Sequence, residues 1–330
     1  MLGKETVLDV LQDSFGRVIN SLRISITDRC NLRCLYCMPS NGVKLTPKEN
    51  ILTFEEVLRI VRVGARLGIN KVKLTGGEPL VRQGMVDLVR KISETDGIED
   101  LSLTTNGLLL EEKASELFQA GLKRLNMSLD SLKVERFAQL TRGGKLTKAL
   151  AGLDKALEVG LNIKINVVAL NGFNDSEILD FVLFAQEKKV EVRFIEFMPL
   201  CGSFWNRNLF LPFSELKSQI EKHFELTRVE SDGTAQVYET NQGTRVGFIP
   251  TLSDPFCSTC SRLRLTAWGS LRPCLFSSRE IHILPMLRML APDGRIIEAF
   301  QRAVCFKPEF NPCLAGEERF ENILVRNIGG

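Results

Sequence analysis

No apolar run in this sequence is long enough to span a bilayer, and its start shows no recognisable secretory signal. Neither sign of charge dominates, since 43 Lys and Arg residues face 40 Asp and Glu residues. These absences argue against a membrane protein, a secreted disulfide-stabilised protein and a nucleic-acid-binding protein. We therefore expect this 330-residue chain to be cytoplasmic, with its nine cysteines reduced and available as metal ligands.

Three of those cysteines, Cys30, Cys34 and Cys37, form a C-x3-C-x2-C pattern that we call the first triplet. Structural zinc sites and most iron-sulfur clusters take four protein ligands. Three thiolates therefore leave one metal position for another ligand. The first triplet predicts a metal centre with a coordination position open to a cofactor or substrate.

Short β-like runs alternate with helix-period segments over residues 22–197, which is typical of βα units on a parallel sheet. Within each run, apolar residues alternate with polar ones, so one face of the sheet is polar. This pattern favours an incomplete (β/α)6 TIM-like barrel with a hydrophilic cavity over a filled, closed barrel. A sheet with one solvent-exposed face is the alternative. The predicted strands are 22–27, 71–75, 101–105, 124–129, 163–168 and 191–197.

The regular alternation of β-like runs and helix-period segments ends near residue 200. We therefore expect two domains, the partial barrel over 1–200 and a smaller C-terminal domain over 201–330 that carries a hairpin and a second metal site. Thr53 and Glu56 form a capping box that predicts the start of a helix. The other expected elements are a short helix at 9–20, helices at 213–224 and 295–304, and a hairpin of 235–240 with 244–249.

Basic side chains occupy the polar faces of several predicted strands. Arg23, Lys73, Lys164 and Arg193 lie in such positions, and the neighbouring runs supply few carboxylates to match them. Several cations that face one cavity favour an anionic ligand such as a phosphate. The sequence therefore predicts a phosphorylated substrate.

A glycine pair, Gly76-Gly77, follows the second predicted strand and precedes Glu78 and Pro79. Loops at this end of parallel strands commonly bind ligands, and glycine lets the backbone approach a ligand closely. Glu78 is a candidate for binding an ammonium group of a ligand. A tight turn in which Pro79 opens the next helix is the alternative.

A second triplet, Cys257, Cys260 and Cys274, has the spacing C-x2-C-x13-C. Between these thiols, Arg262 and Arg264 face the same way on a strand-like run, and we expect them to extend the anion site. From spacing alone a zinc site is an equal alternative, and it needs a fourth ligand. The candidates for that ligand are Cys201, Cys305, Cys313, His223 and His282.

The first triplet, with Tyr36 before its last cysteine, and the segment Gly76-Gly77-Glu78-Pro79 resemble motifs of the radical S-adenosylmethionine superfamily. Nearly the whole chain is similar to the GTP 3',8-cyclase (MoaA) family of molybdenum cofactor biosynthesis. The segments that carry this second resemblance are Gly16-Arg17, Leu22-Arg23-Ile24-Ser25, 27–31, Thr104-Thr105-Asn106-Gly107, 193–198, 256–265, Cys274-Leu275 and Ile328-Gly329-Gly330.

The resemblance implies two 4Fe-4S clusters and S-adenosyl-L-methionine as cofactors, with GTP as substrate. The first triplet would hold a cluster whose open iron binds the amino and carboxylate groups of S-adenosylmethionine. Its cleavage would give a 5'-deoxyadenosyl radical that takes hydrogen from the ribose C3' of GTP, after which C3' attacks guanine C8 to form 3',8-cyclo-7,8-dihydro-GTP. The second triplet would hold a cluster whose open iron binds guanine.

The resemblance also assigns roles to individual residues. Arg23, Gly329 and Gly330 are the catalytic candidates, the glycines because the tail of the family reaches into the active site. Lys73 stands where the family often has Arg, and Val325 where many members have Met. Tyr36, Gly77, Ser128 and Met198 would line the S-adenosylmethionine site. The residues that would contact GTP are Arg23, Lys73, Thr104, Lys164, Arg193, Arg262, Leu263 and Arg264.

Partners follow from the family in the same way. It implies an electron donor such as flavodoxin or ferredoxin, transfer of the product to cyclic pyranopterin monophosphate synthase, and a homodimer, with no nucleic-acid or membrane partner. Two other functions stay open at this point. One is another two-cluster radical S-adenosylmethionine enzyme, such as a peptide-modifying one, and the other is a zinc-binding regulatory or scaffold protein.

Overall fold

Six parallel strands, each followed by at least one helix, form the first part of the structure. The computed structural model describes residues 10–39, 42–200, 204–231 and 233–312. The six strands pair in sequence order, each in parallel with the next. This confirms the predicted partial barrel. The strands are β1 (Ser21–Ser25), β2 (Lys71–Thr75), β3 (Asp100–Thr105), β4 (Arg124–Ser128), β5 (Asn162–Ala169) and β6 (Glu191–Glu196).

Helices cover the apolar face of this sheet. In β1, Leu22 and Ile24 are completely buried in the main hydrophobic core, whereas Arg23 between them lines a cavity on the opposite face. The predicted alternation is therefore confirmed. The helices are α1 (Phe54–Arg66), α2 (Met85–Ser93), α3 (Leu110–Gln119), α4 (Val134–Thr141), α5 (Leu146–Glu158), α6 (Ile178–Lys188), α7 (Phe213–Glu221), α8 (Leu284–Arg288) and α9 (Asp293–Cys305).

The predicted capping box begins α1. The Thr53 hydroxyl accepts a hydrogen bond from the Glu56 backbone N–H, and the Glu56 carboxylate accepts one from the Thr53 N–H at 2.7 Å. Two backbone donors that have no partner within the helix are thereby satisfied.

Strands from the last third of the chain extend the same sheet at both edges. β10 pairs in parallel with β1 on one side, and β9 pairs in parallel with β6 on the other. The predicted hairpin is confirmed as β8 and β9. The sheet is therefore continuous across residue 200, and the division into two domains stays a prediction. The added strands are β7 (Leu226–Val229), β8 (Gln236–Thr240), β9 (Arg245–Ile249), β10 (Arg262–Leu265), β11 (Ser270–Arg272) and β12 (Ile281–His282).

The helix expected at 9–20 is wrong over the described residues 10–20. This segment turns back on itself at Gly16, whose φ is 79°, and forms an antiparallel bridge between Gln12 and Val18. The Asp13 carboxylate accepts hydrogen bonds from the Phe15 and Arg17 N–H groups, which stabilises the turn instead of a helix. Across the described parts of the chain, no helix combines the length and the apolar character needed to cross a membrane.

Candidate active site

The loop that carries the first triplet leaves the end of β1 and packs on the end of α4. The Leu35 N–H donates to the Leu140 carbonyl at 2.9 Å, and the Arg33 N–H donates to that of Thr141 at 3.2 Å. Arg142 ends α4 in a left-handed conformation with φ 53°, and its guanidinium donates to the Met38 carbonyl at 2.9 Å. The cysteine loop is therefore fixed by hydrogen bonds to its backbone that do not use the thiols.

The glycine pair after β2 packs directly against this loop. A Cβ atom on Gly77 would lie 2.1 Å from the Arg29 carbonyl oxygen, and one on Gly76 would lie 2.5 Å from that of Thr27. The Gly77 N–H donates to the Thr27 carbonyl at 2.7 Å. Any larger residue would separate the two loops, so the pair is required for this approach.

Glu78 lies in the same cavity wall as the first triplet and is hydrogen-bonded to the end of β3. Its carboxylate accepts hydrogen bonds from the Leu80 N–H, the Thr105 hydroxyl and the Asn106 N–H, the last at 2.7 Å. Burial raises the pKa of Glu78 to about 7, against the effect of these three donors. Glu78 caps the single helical turn Pro79–Val81, as the turn alternative expects, but it also lines the cavity of the first triplet, so its binding of a ligand's ammonium group stays a prediction.

The three thiols of the first triplet line a cavity of about 190 Å³. The other walls come from the glycine pair and from the ends of β3, β4, β5 and β6. All four residues expected at the S-adenosylmethionine site lie in this wall, namely Tyr36, Gly77, Ser128 and Met198.

Asp130 is a buried residue of this cavity that the sequence analysis missed. Its carboxylate accepts from the Tyr36 hydroxyl at 2.6 Å and from the Val168 N–H at 2.8 Å, and burial raises its pKa to about 6. Its position two residues after Ser128, just beyond β4, is the signal that could have identified it. Asp130 fixes the Tyr36 side chain beside the first triplet.

A larger cavity of about 500 Å³ lies on the polar face of the sheet. Burial and the neighbouring cations Arg262 and Arg264 lower the pKa of Arg23 well below its usual range, and burial together with Arg23 does the same for Lys73. Burial, followed by Arg262, lowers the pKa of Arg264 to about 9. Cations crowded this closely are stabilised by an anionic ligand. The sequence-predicted residues in its wall are Arg23, Lys73, Thr104, Arg193, Arg262, Arg264, Cys257, Cys260 and Cys274.

Two residues expected to contact GTP lie elsewhere. The Lys164 ammonium is 3.2 Å from Glu191, which also accepts from the Arg193 guanidinium, and Lys164 does not line the cavity. The Leu263 side chain is fully buried in the hydrophobic core, where β10 places it beside Leu22 of β1. Lys164 is on the same face of β5 as the cavity residue Asn166 but is held in an ion pair, whereas Leu263 belongs to the apolar face of its strand.

Other sequence expectations fall beyond the described residues. Gly329, Gly330 and Val325 lie outside them, as do Cys201 and Cys313.

Lys307 is a second residue that the sequence analysis missed. Its ammonium lies 3.4 Å from Cys260 Sγ and donates to the carbonyls of Arg262 at 2.8 Å and Pro273 at 3.1 Å. Burial by itself raises the pKa of the Cys260 thiol, but the positive charges of Arg262 and Lys307 outweigh burial and bring this pKa down to about 5. Lys307 follows α9, more than thirty residues after Cys274, so no local pattern marks it.

The second triplet also has the donor set of a cluster with one open position. The described candidates for a fourth zinc ligand, His223, His282 and Cys305, do not line the cavity that holds these thiols. Among the described residues, no three His, Cys, Asp or Glu side chains are grouped to hold a single metal ion. At the second triplet, both the iron-sulfur cluster and the zinc site stay predictions.

The two cavities adjoin. Thr104, Asn166, Ile195 and Met198 line both of them, so a molecule in one cavity can contact a molecule in the other. The strand ends of a single sheet thereby bring both triplets to one continuous space.

Comparisons with known proteins agree with this arrangement. The family model of the Radical SAM superfamily matches residues 24–185, and that of Molybdenum Cofactor Synthesis C matches residues 190–312. The chain is 47% identical to the GTP 3',8-cyclase of Moorella thermoacetica over 90% of this chain and 94% of that protein. It is 43% identical to the GTP 3',8-cyclase of Alkaliphilus oremlandii over 97% and 100%. SuiB of Streptococcus suis bound to S-adenosylmethionine shares the fold, with a TM-score of 0.59 at 15% identity over 86% of this chain and 68% of that one.

A partial barrel with three thiols after its first strand and a glycine pair after its second defines a radical S-adenosylmethionine protein. Within that superfamily, the chain belongs to the GTP 3',8-cyclase family.

Proposed function

We propose that this chain is a GTP 3',8-cyclase that forms 3',8-cyclo-7,8-dihydro-GTP in molybdenum cofactor biosynthesis. The observation that carries the proposal is the junction of two cavities, one lined by the first triplet and the other by buried cations and the second triplet. The relatives named GTP 3',8-cyclase match this chain over nearly their whole length, which supports the same reaction here.

In the first cavity, the first triplet would hold a 4Fe-4S cluster with one iron open to S-adenosylmethionine. When bound, this pair supplies a hydrogen-abstracting 5'-deoxyadenosyl radical. Tyr36, oriented by Asp130, and the backbone at Gly77 would position the cofactor, with Ser128 and Met198 completing the wall. An enclosing wall keeps other hydrogen donors away from the reactive carbon.

In the second cavity, the buried cations would bind the triphosphate of GTP. Arg23, Lys73 and Arg264 come from three different strands and converge on one space, so they can surround an anion that carries several charges. Thr104 lies where the cavities meet and would place the ribose between them. This holds C3' next to the cofactor, and such positioning supplies a large part of a rate enhancement.

We extend the proposal to the second triplet, which would hold a second 4Fe-4S cluster with its open iron toward guanine. Lys307 and Arg262 would offset the charge of its thiolates. Leu263 would take part only through its backbone, and Lys164 only through Glu191. Gly329 and Gly330 are proposed to complete the site from the tail.

The proposed partners are a low-potential electron donor such as flavodoxin or ferredoxin and, downstream, cyclic pyranopterin monophosphate synthase. A homodimer is the proposed assembly. These assignments rest on family membership.

An anaerobic assay tests the function. Protein reconstituted with iron and sulfide is mixed with dithionite, S-adenosylmethionine and GTP, and we expect GTP to disappear as 5'-deoxyadenosine forms in equal amount. Cys34→Ala is the matched inactive control. Intact GTP beside continued 5'-deoxyadenosine formation would point to another radical substrate such as a peptide. Bound zinc without acid-labile sulfide would instead support a regulatory or scaffold role.

A further inference from the structure

The surface around the first triplet carries a concentration of positive charge. Residues 28–50 and 133–148 together contain nine Lys and Arg residues against three Asp and Glu residues, a surplus of six. The rest of the chain has 34 basic and 37 acidic residues, so it is slightly acidic. Basic charge is therefore gathered in these two segments.

Both segments lie against the cysteine loop. The Arg29 guanidinium donates to the Thr46 carbonyl at 3.3 Å, and the Thr46 N–H donates to Asp28 at 2.6 Å, so residues 42–50 are tied to one side of the loop. The Arg142 guanidinium donates to the Met38 carbonyl, which ties the end of α4 to the other side. The thiols are therefore flanked by basic segments on both sides.

Seven of the nine cations of these segments are exposed and two, Arg29 and Arg136, are half-buried, whereas the carboxylate next to the triplet is buried. Asp28 is buried and paired with Arg29, while Glu49 and Glu135 are the exposed carboxylates in the two segments. Lys133 is exposed but lies 4.0 Å from Asp180, and we call the other exposed cations the basic rim. Its members are Arg33, Lys44, Lys48, Arg142, Lys145 and Lys148.

Part of the basic rim has no ion-pair partner among the described residues. Lys44, Lys145 and Lys148 are exposed and form no ion pair with any described residue. Exposed charges of this kind contribute little to stability, but they raise the association rate of an oppositely charged protein. The rim is thus suited to an encounter with an acidic surface.

We propose that the basic rim docks an acidic one-electron carrier protein that reduces the first cluster. The inference rests on the proposed function, because that reaction needs one electron from outside for each S-adenosylmethionine cleaved. The electron enters the sulfonium C–S bond, which breaks to leave methionine and the 5'-deoxyadenosyl radical, and the carrier is oxidised by one electron. The segments that carry the rim flank the loop of thiols at which the electron must arrive.

Charge reversal in the reconstituted enzyme tests the proposal. The rim variant is Lys44→Glu/Lys145→Glu/Lys148→Glu. The control variant is Lys91→Glu/Lys222→Glu/Arg302→Glu, which makes the same change in net charge on α2, at the end of α7 and on α9. The probe is reduced flavodoxin at low ionic strength, and the readouts are the rate of flavodoxin oxidation and the rate of 5'-deoxyadenosine formation without GTP. Dithionite serves as the small reductant for both variants.

We expect the rim variant to lose about tenfold or more in the flavodoxin-driven rate relative to its dithionite-driven rate, and to lose most of its salt dependence. The control variant should keep both. An unchanged ratio in the rim variant, or an equal loss in the control, would overturn the proposal. Because GTP is absent, the result does not depend on which substrate the radical attacks, and the ratio to dithionite corrects for any difference in cluster content.

Discussion

The two triplets offer the same sulfur donors, but Cys34 of the first and Cys260 of the second lie in opposite electrostatic surroundings. Burial, followed by Asp130, raises the pKa of Cys34 in the first triplet well above its usual range. In the second triplet, Arg262 and Lys307 outweigh burial and lower the pKa of Cys260 to about 5. Cys257 of the second triplet resembles Cys34, because burial raises its pKa as well. Carboxylates beside the first triplet suit a cofactor with a sulfonium and an ammonium group, whereas cations beside the second suit an anionic substrate. The contrast supports the proposal that the first cavity receives the cofactor and the second the substrate.

The largest effects should come from removing one thiol at each triplet. We expect Cys34→Ala to abolish both 5'-deoxyadenosine formation and GTP consumption, because the first cluster loses a ligand. Cys274→Ala should abolish GTP conversion but retain cleavage of S-adenosylmethionine. Iron and acid-labile sulfide analysis, with product analysis of the same samples, makes the comparison. Loss of cleavage in Cys274→Ala with the first cluster intact would show that the two triplets do not act separately.

Arg264, which lines the second cavity, and Lys164, which does not, should differ in their effect on GTP binding. Arg264 lines the cavity, so we expect Arg264→Ala to weaken GTP binding by about 10- to 100-fold, as for loss of a hydrogen bond to a charged group. Lys164 is paired with Glu191 outside the wall. We therefore expect the GTP affinity of Lys164→Ala to stay within about threefold of the parent's, as for loss of an ion pair that contributes little free energy. Equilibrium binding to protein with both clusters assembled gives the two values. Equal losses of GTP affinity in the two variants would mean that Lys164 reaches the ligand directly. Arg264→Lys, which keeps the positive charge, is the control for charge.

Sequence alone predicted most of this site because strand alternation and parallel pairing are regular. Once Arg23 and Lys73 were placed on polar faces of neighbouring strands, their convergence followed, since parallel strands present their side chains in register. The glycine pair was equally predictable, because only glycine allows the approach to the Arg29 carbonyl that the structure shows.

What sequence could not predict depends on contacts between distant segments. Asp130 and Lys307 matter through Tyr36 and Cys260, which are remote in sequence. Lys164 has the alternation of a cavity residue, but an ion pair turns it toward Glu191. The continuity of the sheet across residue 200 was also hidden, since β9 and β10 join strands that are far away along the chain.

Removing Lys307 should have an effect of intermediate size, and only on the second triplet. In a Cys34→Ala background, where bound iron reports on the second triplet, we expect Lys307→Met to weaken cluster retention about tenfold, a typical loss for a residue that supports a metal ligand. The ammonium holds Cys260 and the carbonyl before Cys274, and methionine cannot do so. The iron remaining after titration with a chelator measures the effect. Lys222→Met, at the exposed end of α7, is the control, and equal retention in both variants would remove Lys307 from this role.

The smallest effect concerns Glu78, a buried carboxylate behind the first triplet. Its pKa is raised to about 7 from an ordinary 4.5, so the folded protein keeps a proton there that the unfolded chain has released. The stability that this proton provides is complete below about pH 4.5 and is lost as the pH rises through about 7. Glu78→Gln lacks this titration, and its amide group repels one of the three donors that the carboxylate accepts, at a cost of about 1–3 kcal/mol. The free energy of unfolding of Glu78→Gln should therefore fall below that of the parent by the largest amount near pH 5, and by less toward pH 8. Urea unfolding before reconstitution measures this difference, with the exposed Glu111→Gln as control. A deficit that stays constant with pH would show that Glu78 is ionised throughout and that its three donors outweigh its burial.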